Sequence, residues 1–272
     1  MPDRSTISYR YDGTFDGLLC CVFESYEKKE IPVNILQPEE LQETLFPIKE
    51  ILTEPQKSQR VFASIPKKMG YAALDFIQRA FLTCEPQKER YILLFLRLGF
   101  RYGSSVMNML TDDVVNALMK AVKHLNNEAH LLTGFVRFSI FNNALVSEIE
   151  PKNFVLPLLM KHFCERYPEE RFLIYDKTHG MALIYQPYQA EIVPIEALQL
   201  PEPDESERKY RALWRLFYDT IEVEGRHNPK CRMGHMPKRY WQYLTEFGGE
   251  QRPRSELKGE SGKKALGSGN GE

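Results

Sequence analysis

Residues 7–11 alternate, with Ile7, Tyr9 and Tyr11 on one side and Ser8 and Arg10 on the other, the period of a half-buried strand. Asp12-Gly13 signals a turn and Thr14 suits a helix N-cap. Phe15, Leu18, Leu19, Val22, Phe23 and Tyr26 then recur at helical spacing. Gly17 in that helix implies close approach by another backbone. Residues 28–60 are broken by prolines and charges and predict short strands and turns. From 66 to 132 the period is helical. One helix opens near Pro66 and carries Phe76, Ile77, Ala80 and Phe81; a second carries Tyr91, Leu94, Phe95 and Leu98. Thr111 is placed as the cap of a third, with Asp112 and Asp113 in its first turn and Gly134 at its end.

The period then changes. Residues 135–141 and 144–149 read as strands joined at Asn142-Asn143, a hairpin signal because Asn tolerates positive φ. Residues 153–166 return to helix. Residues 172–175 and 181–185 form a second hairpin. A linker covers 199–207, and a helix from about 208 to 223 is expected to bury Tyr210, Leu213, Trp214, Phe217 and Ile221. Segregated helices and hairpins predict an α+β fold, an antiparallel sheet built from hairpins with helices packed on it. The expected organisation is a core domain over 1–200, a helical basic segment over 208–247 packed on that core, and a disordered tail over 248–272.

Composition adds boundaries more than function. Thirty-six basic and thirty-seven acidic residues give a net charge of −1, which excludes a generally basic nucleic-acid-coating protein but not a local patch. No apolar run reaches the roughly 20 residues of a membrane span, and the first twenty residues do not read as a signal peptide. Five scattered cysteines fit a reducing cytoplasm.

Candidate chemistry concentrates in residues 225–241, which hold Arg226, Lys230, Arg232, Lys238 and Arg239 and no acid. Arg and Lys neutralise phosphates, while Tyr240 and Trp241 offer faces for unpaired bases and Asn228 adds a polar contact. A solvated loop with its Tyr and Trp in the core is the plain alternative. Arg137, beside Phe138, either extends such a surface or pairs with a carboxylate across the sheet. His227, Cys231 and His235 are spaced four apart, but Pro229 and Gly234 break a regular helix and no fourth ligand accompanies them, so no metal is assigned. His162, Asp176 and His179 are the candidate acid–base groups, because a helix and a hairpin adjacent in sequence could bring them together. Nucleotide-cradling glycine loops, a nucleophile elbow and iron–sulfur spacing are absent, and no cofactor is expected.

The segments 11–19 (YDGTFDGLL), 22–26, 134–138 (GFVRF), His162-Phe163 with 174–176, Leu213-Trp214, 226–228 and 236–241 (MPKRYW) resemble, in order, a bacterial family described as DNA repair or DNA metabolism proteins. The likeness spans about residues 7–247. It implies a DNA-associated accessory protein whose partner is a radical-SAM protein, usually encoded beside it. In some relatives the domain is joined to a uracil-DNA-glycosylase-like domain. With only a polar tail after 248, that domain is expected as a separate partner if at all. A nucleobase- or DNA-processing enzyme using His162, Asp176 and His179, and a protein-interaction scaffold, are the competing expectations.

Overall fold

A computed structural model describes residues 6–38, 46–195, 198, 205–221 and 236–245. The chain begins with β1 (Ser8–Arg10) and α1 (Phe15–Glu27), followed by β2 (Ile35–Leu36) and β3 (Ile48–Glu50). The helices α2 (Pro55–Met69), α3 (Tyr71–Phe81), α4 (Lys88–Tyr102) and α5 (Asp113–Phe135) come next. Then follow β4 (Ser139–Phe141), β5 (Ala144–Ile149), α6 (Leu156–Arg166), β6 (Phe172–Asp176), β7 (Met181–Gln186), β8 (Gln189–Pro194) and α7 (Glu205–Ile221). A 3-10 helix, Lys238–Tyr243, closes the described chain.

The α+β expectation holds, with three departures in the sheets, one of them the unexpected edge strand β8. The strands β2-β1-β3 form a small parallel sheet, which the sequence reading did not anticipate. The strand at 7–11 and short strands within 28–60 were expected, but strands of two and three residues carry no signal of which partner they pair with or in which direction. The larger sheet has the order β4-β5-β6-β7-β8 and is antiparallel except between β5 and β6, where α6 makes the crossover. Its β4–β5 hairpin turns on Asn142 and Asn143 at φ 49° and 60°, as the Asn pair predicts.

Helix boundaries follow local chemistry. Thr14 caps α1 by accepting from the Gly17 amide at 3.0 Å. A methyl on Gly17 would meet Asp12 Oδ1 at 2.2 Å and Thr53 Oγ1 at 2.9 Å, so the close approach is by side chains and not by a backbone. Asp112, not Thr111, caps α5, accepting from the Val114 and Val115 amides. Pro66 does not open a helix; it lies inside α2, and the break comes at Gly70 with φ 87°. Gly134 lies within α5, which ends one residue later.

Two apolar clusters form the interior. The first gathers α1 to α4 with the parallel sheet and the start of α5; the second gathers the rest of α5, α6 and the large sheet. Helix α5 supplies Val115, Leu118 and Val122 to the first and Leu125, Ala129 and Leu132 to the second. The expected buried stripe of α7 is reversed: Tyr210, Leu213, Trp214 and Phe217 are all exposed. Helical period identifies one face of a helix but not which way it turns. The Ile221 side chain and residues 246–272, including the expected tail, lie outside the described residues.

Candidate functional site

The strongest surface feature lies between α7 and the β4 edge. Leucine, alanine and arginine favour α7, and Glu205 and Glu207 sit favourably in its first turn. It is tied down through Arg211, which donates to Ser139 Oγ and pairs with Glu207 at 2.8 Å, and through Arg215 Nε, which donates to Thr245 O at 3.1 Å. A groove of about 600 Å³ remains between α7 and the sheet edge. Arg137, Arg166 and Arg211 line it against a single acid, Glu207. Tyr210 is 68% exposed and Trp214 41% exposed along its wall.

Arg137 precedes β4 and donates to Gly134 O at 2.7 Å, capping carbonyls at the α5 C-terminus. Its position holds a guanidinium at the groove mouth. Guanidinium groups beside partly exposed rings suit a polyanion bearing flat heterocycles, because the two kinds of group supply charge and stacking together; the Trp214 ring also meets Phe217 at 5.7 Å. Tyr210 was expected in the core and not in a site; its exposure on a helix with tethered arginines could not be read from spacing.

The other expected residues divide. Lys238 is exposed and lies 5.9 Å over the Trp241 ring, whose Nε1 donates to Met236 O. Tyr240 is buried, 2% exposed, so its ring is unavailable for stacking. Arg239 pairs with Glu128 at 2.8 Å while remaining 40% exposed. Arg226, Asn228 and Lys230, with His227, Cys231 and His235, lie outside the described residues. Among the described residues no cluster of three or more metal-ligating side chains exists.

Asp176 and His179 do meet. His179 Nδ1 lies 2.7 Å from Asp176 Oδ2, and Asp176 Oδ1 accepts from the amides of Thr178 and His179. The pair sits at the end of β6, with the His179 ring against Phe154. His162 does not join it by any hydrogen bond among the described residues. Its Nε2 is buried without a partner, and its ring meets Phe163 edge-on. Of the three expected acid–base groups, the structure joins Asp176 and His179 by a hydrogen bond and shows none from His162 to either.

A centre that sequence reading missed surrounds Glu128, which is 3% exposed. Its carboxylate accepts from the Lys152 and Asn153 amides, Asn153 Nδ2, Arg239 and the Tyr240 hydroxyl. Burial alone would raise its pKa, but these donors outweigh that and hold it below the ordinary carboxylate range. Burial and the adjacent Glu128 charge push the Tyr240 phenol up to about 12, so it remains a donor. The signal was present: Glu128 occupies the same helical stripe as Leu125, Ala129 and Leu132, where an acid requires partners. Above it opens a cavity of about 500 Å³ lined in part by Cys84, His124, Lys152 and Arg239.

An α+β protein with an arginine-and-aromatic groove on its large sheet is the class these features define. Residues 86–246, more than half of the chain, match the DUF4130 family, a domain of unknown function, and the chain belongs to that family. The matched span contains the large sheet, α7, the groove and the Glu128 centre. No curated protein matches the chain, and no solved structure does. Among the described residues no helix is long and apolar enough to cross a membrane.

Proposed function

We propose that the protein is a DNA-associated accessory factor of a repair or modification system that holds single-stranded DNA in the groove between α7 and β4. The observation that carries the reading is the exposure of Tyr210 and Trp214 in a groove bearing three arginines and one glutamate. Bases stack on rings with little sequence preference while arginines follow the backbone, so this combination favours an unpaired strand over a duplex. Lys238 at the start of the terminal 3-10 helix adds an exposed cation from the basic segment. The family resemblance supplies the context: a radical-SAM protein is the proposed partner and performs the bond-breaking chemistry. Cys20, Cys21, Cys84 and Cys164 are free, which supports a cytoplasmic location.

Anisotropy of a labelled single-stranded oligonucleotide, titrated across salt, tests the reading. Affinity falls with salt, and Arg137→Ala/Arg166→Ala lowers the slope of log K against log salt by about 1.4, at roughly 0.7 per phosphate contact. Tyr210→Ala/Trp214→Ala weakens binding by about 2–6 kcal/mol, at roughly 1–3 kcal/mol per stacked base. Curves that neither pair of substitutions changes, or tighter binding to a duplex of equal length, would remove the basis for the proposal.

A further inference from the structure

A second groove lies on the opposite part of the chain, between α1, α2 and α4, and nothing in the proposed DNA reading uses it. It measures about 530 Å³, and its walls include Val22, Phe23, Tyr26, Val61 and Phe100. Of the charged residues that line it, Arg60 and Lys68 are cationic and Glu27 is acidic, and the α2 side is basic. Helix α2 carries Lys57, Arg60, Lys67 and Lys68 and has no acidic residue along its length. Helix α4 adds Arg97 and Arg101. The neighbouring acids are already engaged: Glu54 with Lys57 at 2.6 Å, Glu24 with Lys49 at 2.8 Å and Glu27 with Lys28 at 3.7 Å. Arg60, Lys67, Lys68, Arg97 and Arg101 have no ion pair among the described residues. In a chain of net charge −1, that is a local positive excess along α2 and the end of α4.

The aromatic rings decide between two anionic occupants. Lys57 and Arg60 both lie 5.7 Å from the Phe23 centroid. Arg97 lies 4.6 Å over Tyr26, whose ring also meets Phe100 edge-on at 5.8 Å. Arg97 is itself anchored to Ser25 Oγ at 3.0 Å. The rings are thus engaged by cations of the same face, which disfavours stacking of unpaired bases there. What remains open is an apolar trough with charged heads along its edges. An amphipathic helix fits it, inserting aliphatic or aromatic side chains and setting its carboxylates against the rim.

We infer that this groove is a docking site for an acidic amphipathic helix of a partner protein, with its apolar anchors in the trough and its Asp and Glu residues facing Arg60 and Lys68 on the α2 side. The inference is independent of the DNA-binding proposal, because α1 and α2 are separate from the α7–β4 groove.

The test is selection of a displayed library of random peptides about 16 residues long, enough for roughly four helical turns. The full chain is the bait and its Arg60→Glu/Lys68→Glu variant the counter-selection. Both residues are exposed, and circular dichroism verifies that the variant folds. The enriched peptides are expected to carry Leu or Phe at i, i+4 spacing flanked by Asp and Glu. Their synthetic forms should bind the variant at least about tenfold more weakly, and hydrogen exchange should slow in α2 on binding. A pool that is neutral or basic, no enrichment over the counter-selection, or protection confined to α7 would overturn the inference. So would an oligonucleotide whose binding the same two substitutions abolish, since that would make the groove a nucleic-acid surface.

Discussion

Glu128 shows how one buried charge organises a neighbourhood. Five donors from two parts of the chain converge on it, three from Lys152 and Asn153 just after β5 and two from side chains of the terminal 3-10 helix. A glutamine there presents donors to donors and leaves part of the set unpaired. Glu128→Gln is therefore expected to destabilise the protein by about 3 kcal/mol, the scale of breaking a buried charged pair from one side. The pH dependence has a definite direction. Because the folded carboxyl titrates below its ordinary 4.5, its contribution is complete above that value and is lost as the pH falls through the lowered folded value. Urea midpoints measured from neutral pH downward should fall steeply on the acid side for the wild type and less steeply for the variant. Parallel curves would mean that Glu128 titrates the same way folded and unfolded.

At the scale of elements, local chemistry was legible where a short signal acts alone and illegible where tertiary context decides. The Asn142-Asn143 turn is of the first kind: two consecutive positive φ angles close β4 onto β5, with Ile140 opposite Leu145. A β-branched residue tolerates such a conformation poorly. Asn142→Thr should cost about 1–2 kcal/mol in thermal unfolding and loosen the Ile140–Leu145 pairing, read as lost cross-strand contacts by NMR. An unchanged melting temperature would show that the sheet, and not the turn, sets this register. The Thr14 cap was equally readable. Helix α2 was not, because its mean character is polar and Pro66 imitates a helix start while sitting inside one. The α7 stripe was visible, but its direction was not. Its aromatic residues face out because Arg211 and Arg215 fasten the helix to Ser139 and Thr245, and no one-dimensional pattern records those tethers. The expected placements suffered accordingly: Tyr240, offered as a stacking ring with a core position as the alternative, is buried, and Tyr210, expected in the core, is exposed.

The whole molecule has two apolar clusters and one long helix that serves both. Helix α5 places Leu118 in the first and Leu125 in the second, less than three turns apart and both fully buried. Further ties join the segment after α3 to the segment after β5: the Phe154 amide donates to Leu82 O at 2.9 Å, and the Cys84 amide donates to Asn153 Oδ1 at 2.9 Å. Asn153 is one of the residues that satisfies Glu128, so the polar centre and these ties share a member. A helix loses its packing on one side without melting only if the other side alone can hold it, and most helical stability comes from such packing. The two clusters should therefore unfold together. Leu125→Ala removes side-chain volume from the second cluster only, at a cost of about 2–5 kcal/mol. If the halves are coupled, amide exchange accelerates by a similar free energy in α3 and α4 as in β6 and β7, and Leu118→Ala in the first cluster produces the mirror-image result. Acceleration confined to the cluster that carries the substitution would instead define two units that open separately, with α5 fraying at their junction.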